Sequence, residues 1–490
     1  MRRHPDLAAL LLVLLVAALL RGVFLFRAPV FATGDSEGYL APGFALANGL
    51  DFDLSASKRT PGYPWSIAFS IVAGGEDLRS LVFFQHALGV VTAGLTFALG
   101  RLCFTPARVG RIVGSVAGLL VGLNGALVIS EHTVMTEALF VPLVAGSLTA
   151  LVAALRTRRL ALYALAGLLL GFATLTRPVA QVLLPVIPVA VVLVGGSWRQ
   201  LLLRSAVALA ACGLVLAPQM IHSSLEQDSA SVGSLGQSLL GRTARHDRGA
   251  WTFYDPALHA DEPEDRVRAR KILQQAADSG SSGKAVHTRL RRELGLSPAE
   301  ADRLMRNLAV EAILRRPDYY VAGTLQRFVR MADGSVERLR DARNTTDTAR
   351  PRWEDEPSKH LLVPATPAED RAQTVASGLV SIWQTGYVGP VLPLLALLST
   401  LVALWRQPWR PAVALGMSAF ALLFLSAALV GNVSRYRYPT DPLMAVLAVG
   451  ALAWIVGLVR SRARRTAPAD AEPRSQVTAL SVARPSLRDG

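Results

Sequence analysis

The chain has 490 residues, of which 51% are hydrophobic, and its mean hydropathy is +0.36. Apolar segments of ~18 residues or more indicate transmembrane helices, because a hydrocarbon core ~30 Å thick needs about 20 residues at 1.5 Å each. The net charge of +15 does not indicate nucleic-acid binding, because much of the arginine excess lies in short turns between apolar segments. The composition therefore excludes an ordinary soluble protein and predicts an all-α polytopic membrane protein.

The apolar segments predict about ten transmembrane helices. They cover 7–26, 81–103, 109–129, 134–155, 160–177, 179–196, 201–221, 379–405, 411–430 and 440–459. The first resembles a signal peptide, but the many spans that follow favour an uncleaved helix. If both termini are cytoplasmic, every strongly basic short turn lies on the same side, as the positive-inside rule requires. We therefore expect a multi-pass protein of the cell membrane with cytoplasmic termini.

These spans divide the chain into four parts. Residues 1–221 form an N-terminal transmembrane module whose first outer loop is 27–80, and 222–378 form an extracytoplasmic segment, here called the outer segment. Residues 379–460 hold the C-terminal transmembrane helices, and 461–490 form a basic cytoplasmic tail that we expect to be disordered. We expect the outer segment to be mainly helical and short juxtamembrane helices to lie on the outer face.

Two helices are predicted inside the outer segment. Ser297, Pro298 and Glu300 form a capping box with proline at the first helical position, which predicts a helix running to about Arg315. The following stretch, 318–328, has the pattern of an amphipathic helix able to lie on a membrane surface.

In the N-terminal half, the stretches with the most candidate functional side chains, ionisable and aromatic, lie in the first outer loop. Asp35 has two interpretations, which are compatible: an N-cap for a short helix from Ser36 to Ala47, or a general base with Tyr39 one turn later on the same face. Other candidates for substrate binding in this loop share its polar and aromatic character: Glu37, Lys58, Arg59 and Tyr63.

Further ionisable groups gather at the same predicted membrane face. Glu137 opens the fourth span, where an acidic group is also favourable for a helix N-terminus alone. Arg435, Tyr436 and Arg437 precede the last span; they fit either an aromatic-belt anchor or a clamp for a lipid phosphate, because guanidinium binds phosphate oxygens bidentately. Arg177 could contribute to such a clamp.

Three other ionisable residues are predicted to have simpler roles. Arg21 is interpreted as a snorkelling residue near the end of the first span, and Glu131 and His132 are interpreted as interfacial. The two cysteines, Cys103 and Cys212, lie in or beside apolar segments, so no disulfide framework is indicated.

With these residues in place, the chain resembles the membrane-embedded glycosyltransferases of the C superfamily, which include protein O-mannosyltransferases and the aminoarabinose transferase. The resemblance covers roughly 1–220 and the last spans, and no motif extends it to the outer segment. The motifs that carry it are Asp35, Glu37 and Tyr39; the stretch 58–65; the stretch 135–140; the stretch 175–178; and the stretch 435–439.

The resemblance implies a reaction and its partners. A polyprenyl-phosphate sugar is the donor, and the acceptor is a glycolipid, a polysaccharide or a protein. Asp35 is implied as the general base, and Glu137 as a contact to acceptor or metal. A phosphate leaving group needs no proton donor, so one carboxylate suffices to deprotonate the attacking hydroxyl, with inversion at the anomeric carbon. No cofactor is firmly required, and a divalent metal stays an open alternative.

Two other classes of function compete with an enzyme. A sugar or lipid transporter or flippase tends to have internal repeats and helices broken near the midplane, and no repeat is evident here. A non-catalytic membrane scaffold does not require acids and arginines to converge on one face. An enzyme requires Asp35 within ~12 Å of Glu137 or Arg435, because the base and the phosphate clamp must flank one sugar.

Overall fold

The computed structural model describes residues 5–27, 30–32, 35–50, 59–225, 235–246, 251–259, 261–333, 390–429 and 434–466. Nearly all of these residues are helical, and the described part of the chain contains no strand beyond one isolated bridge between Phe31 and Thr133. The all-α prediction is therefore confirmed.

The N-terminal module is a series of apolar helices with two short ones in its first loop. The helices are α1 (Pro5–Arg27), α2 (Glu37–Ala47), α3 (Gly62–Gly74), α4 (Leu78–Cys103), α5 (Ala107–Gly122), α6 (Gly125–His132), α7 (Glu137–Thr157), α8 (Leu160–Thr176), a 3₁₀ helix at Pro178–Leu183, α9 (Val186–Val194) and α10 (Trp198–Leu225). The helices α2 and α3 lie in the first outer loop, and α2 corresponds to the short helix predicted from Ser36 to Ala47.

The outer segment and the C-terminal part follow the same all-helical pattern. The outer segment holds α11 (Leu235–Leu240), a π-helical turn at Gly241–His246, α12 (Pro256–His259), α13 (Glu264–Ser279), α14 (Gly283–Leu294), α15 (Pro298–Arg315) and α16 (Pro317–Asp333). The C-terminal part holds α17 (Val391–Trp405), a 3₁₀ helix at Gln407–Trp409, α18 (Pro411–Leu429), a 3₁₀ helix at Ser434–Thr440 and α19 (Asp441–Thr466).

Six helices of the described chain are long and apolar enough to cross a membrane, or seven if the pair α5 and α6, bent by 50°, is one span. The six cover Pro5–Phe26, Leu78–Cys103, Glu137–Thr157, Trp198–His222, Pro411–Leu429 and Arg435–Arg462. Three further apolar helices, at 160–176, 178–194 and 391–405, are shorter. At 1.5 Å per residue they reach roughly 22–26 Å, less than the ~30 Å hydrocarbon core. The ten predicted spans are therefore not confirmed by length, although the protein is a multi-pass membrane protein.

The spans pack closely because small residues lie where the helices meet. At Gly171 of α8, an added Cβ would lie 2.7 Å from the Val215 side chain of α10. In lipid, helix association depends on such close backbone approach, because burial of apolar side chains provides little driving force. The main apolar core is centred on α4, α5, α7, α8, α18 and α19.

The outer segment has its own apolar core. Trp251 and Phe253 pack with residues of α13, α14 and α15, such as Leu273 and Met305. The predicted capping box is present: the Ser297 hydroxyl accepts from the Glu300 amide, and the Glu300 carboxylate accepts from the Ser297 amide at 2.9 Å. The helix that it begins ends at Arg315, so this prediction is confirmed.

Candidate active site

Five ionisable side chains from distant parts of the sequence meet in one group, here called the arginine–carboxylate cluster: Asp35, Arg59, Glu137, Arg177 and Arg435. Arg435 Nη2 donates to Asp35 Oδ2 at 2.7 Å, and its Nε lies 3.7 Å from Glu137 Oε1. Arg59 Nη2 donates to the other Asp35 oxygen at 3.1 Å, and Arg177 Nη1 donates to Glu137 Oε1 at 2.6 Å. Arg435 thus bridges two carboxylates that lie about a hundred positions apart in sequence.

The cluster is closed on one side and open on the other. The Glu137 side chain is 2% exposed and lies at the closed side with Arg177, whereas the Asp35 side chain is 41% exposed. Three guanidinium groups and two carboxylates give the cluster a formal charge of +1. Such a net positive group, partly screened from water, favours an anionic ligand at its open side.

Two tyrosines hold the guanidinium groups in place. The Tyr39 ring lies 4.5 Å from Arg59 Cζ, and its hydroxyl accepts a hydrogen bond from Arg59 Nη1 at 3.1 Å. The Tyr436 ring lies 4.6 Å from Arg177 Cζ and 5.9 Å from Arg435 Cζ. Stacking over an aromatic face is a favourable geometry for arginine. Burial raises the pKa of the Tyr39 phenol above its ordinary value.

Asp35 is not the N-cap of the short helix. The helix begins at Glu37 with Ser36 in the capping position, and the Ser36 hydroxyl donates to the Val134 carbonyl at 2.8 Å. The Asp35 carboxylate binds arginines instead. Burial acts to raise the pKa of this carboxyl, but the charges of Arg435 and Arg59 outweigh it and hold the pKa below its ordinary value.

The structure does not bring every predicted site residue to the open side of the cluster. Arg437 Nε donates to Asp441 at 2.9 Å, so its guanidinium is held by another acid. Tyr63 is fully buried, and its hydroxyl donates to Gln85 at 2.7 Å. Glu37 is partly exposed and forms no ion pair within the described ranges. The prediction for Lys58 falls outside the described residues.

A second group of buried polar side chains supports the cluster, here called the Arg21–Glu131 network. Arg21 Nε and Nη2 each donate to one oxygen of Glu131 at 2.7 Å. His86 Nδ1 lies 3.0 Å from Glu131 Oε2, and His86 Nε2 lies 2.9 Å from His132 Nδ1. All four side chains are buried. Arg21 is therefore not a snorkelling residue, and Glu131 and His132 are buried inside the protein.

The Arg21–Glu131 network fixes the chain segment that leads into Glu137. Gln85 Nε2 donates to the carbonyls of Glu131 and Thr133. The Phe31 amide donates to the His132 carbonyl at 3.1 Å, and the Val134 amide donates to the Phe31 carbonyl at 2.9 Å. The segment before α7 is thereby joined to the segment before Asp35. Gln85 and His86 were not identified from the sequence, although a polar pair inside an apolar span is a signal for such a network.

The part of the first outer loop that leads into α3 is held against the end of α8. The Thr60 hydroxyl donates to the Thr176 carbonyl at 2.8 Å. At Gly62 an added Cβ would lie 2.8 Å from the Leu175 carbonyl, so only glycine allows α3 to begin this close to the end of α8. This contact places Arg59 and Arg177 on one side of the molecule. Within the described residues, no group of three or more His, Cys, Asp or Glu side chains is arranged to hold a metal ion.

Residues 58–223 match the sequence profile of the dolichyl-phosphate-mannose-protein mannosyltransferase family. The match confirms the resemblance to membrane-embedded glycosyltransferases in that part of the chain. It includes Arg59, Glu137 and Arg177, whereas Asp35 and Arg435 lie outside it. No curated protein is significantly similar to the chain in sequence.

Several solved structures align with most of the chain, all at low sequence identity. The archaeal oligosaccharyltransferase AglB from Archaeoglobus fulgidus, in complex with an inhibitory peptide and a dolichol-phosphate, aligns over 95% of this chain and 52% of its own, with 13% identity and a TM-score of 0.46. ArnT from Cupriavidus metallidurans, bound to undecaprenyl phosphate, aligns over 95% of this chain and 80% of its own, with 16% identity and a TM-score of 0.37. The chain spans about half the length of the oligosaccharyltransferase. TM-scores this low do not show a common fold.

Proposed function

We propose that the chain is a glycosyltransferase that moves a sugar from a polyprenyl-phosphate carrier to an acceptor hydroxyl at the outer membrane face, with inversion at the anomeric carbon. The observation that carries this proposal is the contact of Arg435 with both Asp35 and Glu137. It joins a candidate base to a candidate phosphate clamp within one cluster. The family match at 58–223 supports the same reaction class.

In the proposed reaction, Asp35 accepts the proton of the acceptor hydroxyl as its oxygen attacks the anomeric carbon. The bond from that carbon to the phosphate oxygen breaks, and the electron pair stays on the polyprenyl phosphate. Arg435 stabilises the departing phosphate, because guanidinium donors are most effective where negative charge develops. The Arg435 side chain is 30% exposed, so a phosphate oxygen can reach its guanidinium group from the open side of the cluster.

The ion pairs of Asp35 also give the proposal a way to couple donor binding to base strength. Arg435 and Arg59 hold the pKa of the Asp35 carboxyl below its ordinary value. A donor phosphate that binds these guanidinium groups neutralises part of their charge, and the pKa of Asp35 then rises. A carboxylate with a higher pKa is the better general base. Donor binding would thus prepare Asp35 for the acceptor.

Glu137 and Arg177 have a different part in the proposal. Glu137 is buried, and Arg177 and Arg435 both lie against it. We assign Glu137 the role of orienting the two guanidinium groups. Its fixed negative charge offsets the repulsion between the two positive charges. Tyr39, Glu37 and Lys58 remain candidates for contacts to the sugar or the acceptor.

The test is a transfer assay with the purified chain in lipid nanodiscs and a panel of polyprenyl-phosphate sugars. The proposal expects release of free polyprenyl phosphate together with sugar bound to an added acceptor fraction from the cell envelope. A matched vesicle assay follows the intact donor across the bilayer. Donor that crosses the bilayer but is never cleaved would support a flippase and contradict the proposal.

A further inference from the structure

Helix α16 has the reverse of the polarity expected on a water-facing domain. Val321, Leu325 and Val329 are spaced by four residues, so they share one face, and they are 54%, 49% and 58% exposed. Thr324 and Arg327, which turn inward, are only 2% and 9% exposed. A surface helix of a soluble domain buries its apolar face and exposes its polar one. The exposed face of α16 therefore suits apolar surroundings.

The inward side of α16 lies along a membrane span. The Phe328 ring lies 6.2 Å from Phe420 and 6.3 Å from Phe424 of α18. Nearer the start of α16, the Tyr320 hydroxyl donates to the Ala428 carbonyl at 2.8 Å. These contacts run along eight positions of α18, about 12 Å at 1.5 Å per residue. Met331, in the last turn, is buried in the main core of the spans. The helix is thus beside the apolar part of α18.

The exposed face of α16 is continuous with other exposed apolar surface. Phe424 of α18 is half exposed beside Phe328, and Leu394 of neighbouring α17 is 66% exposed. Since α18 is a candidate span, apolar side chains exposed on it are expected to meet lipid.

We propose that α16 is a membrane-inserted helix whose Val321–Leu325–Val329 face enters the bilayer leaflet beside the C-terminal half of α18. The partner is the lipid itself. Apolar side chains exposed alongside a span meet acyl chains and not water. At Gly323 an added Cβ would lie 3.0 Å from Arg242 of the outer segment. Insertion of α16 therefore anchors the outer segment to the bilayer, independently of any catalytic activity.

The test measures the surroundings of single spin labels in the full chain, reconstituted in lipid vesicles. The native Cys103 and Cys212 are buried, so the wild-type chain, labelled in parallel, serves as the blank. The test variant is Leu325→Cys. Leu214→Cys, on the exposed side of span α10, is the lipid reference, and Lys284→Cys, on the outer segment, is the water reference. Each label is relaxed by oxygen, which partitions into lipid, and by a water-soluble nickel chelate.

The proposal expects the ratio of oxygen to nickel relaxation at 325 to match that at 214 and to exceed that at 284 several-fold. A ratio equal to that at 284 would place the face in water and overturn the proposal. Protection from both reagents would show a protein cover, from a second copy of the chain or from residues 334–389, and would also overturn it. A Gln326→Cys label, on the polar edge of the same exposed side, should give a lower ratio than the label at 325.

Discussion

The Arg21–Glu131 pair gives the sharpest prediction for stability. Each Glu131 oxygen accepts from Arg21 at 2.7 Å, and one of them also lies 3.0 Å from His86 Nδ1. Glutamine has the same size but only one acceptor oxygen, and its amide group is a donor. In Glu131→Gln, one guanidinium N–H therefore faces another donor, and the buried Arg21 charge loses its counter-charge.

The expected loss follows from the burial of this pair. Removing one partner of a buried ion pair costs about 3–5 kcal/mol of the free energy of unfolding. Arg21 Nη1 keeps its hydrogen bonds to the carbonyls of Ala17 and Gly122, so we expect the lower end, about 3 kcal/mol. The control is Glu264→Gln on the surface of α13, where the carboxylate is 86% exposed; a surface change of this kind should stay within about 0.5 kcal/mol.

The assay is equilibrium unfolding of the purified chain in mixed micelles, followed by far-ultraviolet circular dichroism. A double variant, Arg21→Met with Glu131→Leu, removes both charges, and we expect it to be more stable than Glu131→Gln, because apolar residues of similar volume often replace a buried pair without loss. A Glu131→Gln chain as stable as the Glu264→Gln control would refute the reasoning. So would a double variant no more stable than the single one.

Three further predictions concern the cluster and the outer segment. Arg435→Lys should lower the rate of sugar transfer by about 10²–10³-fold, because one ammonium group replaces a forked donor at the departing phosphate. The control is Arg437→Lys, which should lower the rate much less, because the native Arg437 side chain binds Asp441. Equal losses in the two variants would contradict the role assigned to Arg435. The pKa of Asp35 is held below its ordinary value in the free protein, so the wild-type kcat/KM for the donor, which reports the free enzyme, should fall only as pH drops below the ordinary aspartate value of about 3.9. Arg59→Gln removes one of the charges that lower this pKa, so the acid limb of its kcat/KM profile should move to higher pH. An unmoved limb would contradict the assignment of that limb to Asp35. In the outer segment, hydrogen bonds from Arg270 lower the pKa of Glu262, and hydrogen bonds from Arg270 and its charge lower the pKa of Glu311 against the effect of burial. This stabilisation is present above the ordinary glutamate pKa and is lost as pH falls through the lowered values. Arg270→Met should therefore weaken amide-exchange protection of α13 at pH 7, and it should weaken it less once both carboxylates are protonated.

The fold class and much of the outer segment follow from local sequence. Long apolar segments specify helices by composition alone, and the Ser297–Glu300 capping box fixes the start of α15 within one turn. The number of spans does not follow from composition, because length decides whether a helix reaches across the bilayer. Helix α8 ends at Thr176, where Arg177 is extended and Pro178 begins a 3₁₀ helix. That break shortens two of the predicted spans.

The candidate site could be predicted only as a set of residue types on one face. Arg435 and Asp35 are 400 positions apart, and local pattern contains no information on which arginine reaches which carboxylate. Arg437 lies two residues from Arg435 and is likewise followed by a tyrosine, yet it binds Asp441. Arg21 and Glu131 were assigned roles at the membrane surface because each was considered alone. An ionisable residue inside a span needs a partner, and searching for one would have paired them.

The most direct test of the central claim is the turnover of Asp35→Asn in the transfer assay with a polyprenyl-phosphate sugar. Its matched control is Asp261→Asn, the same change at an exposed position of the outer segment. Removal of a general base costs about 10²–10⁴-fold. We therefore expect Asp35→Asn to bind the donor but to lose transfer by at least the lower figure, while Asp261→Asn keeps the wild-type rate. Equal turnover of Asp35→Asn and wild type would contradict the claim that this carboxylate accepts the acceptor proton.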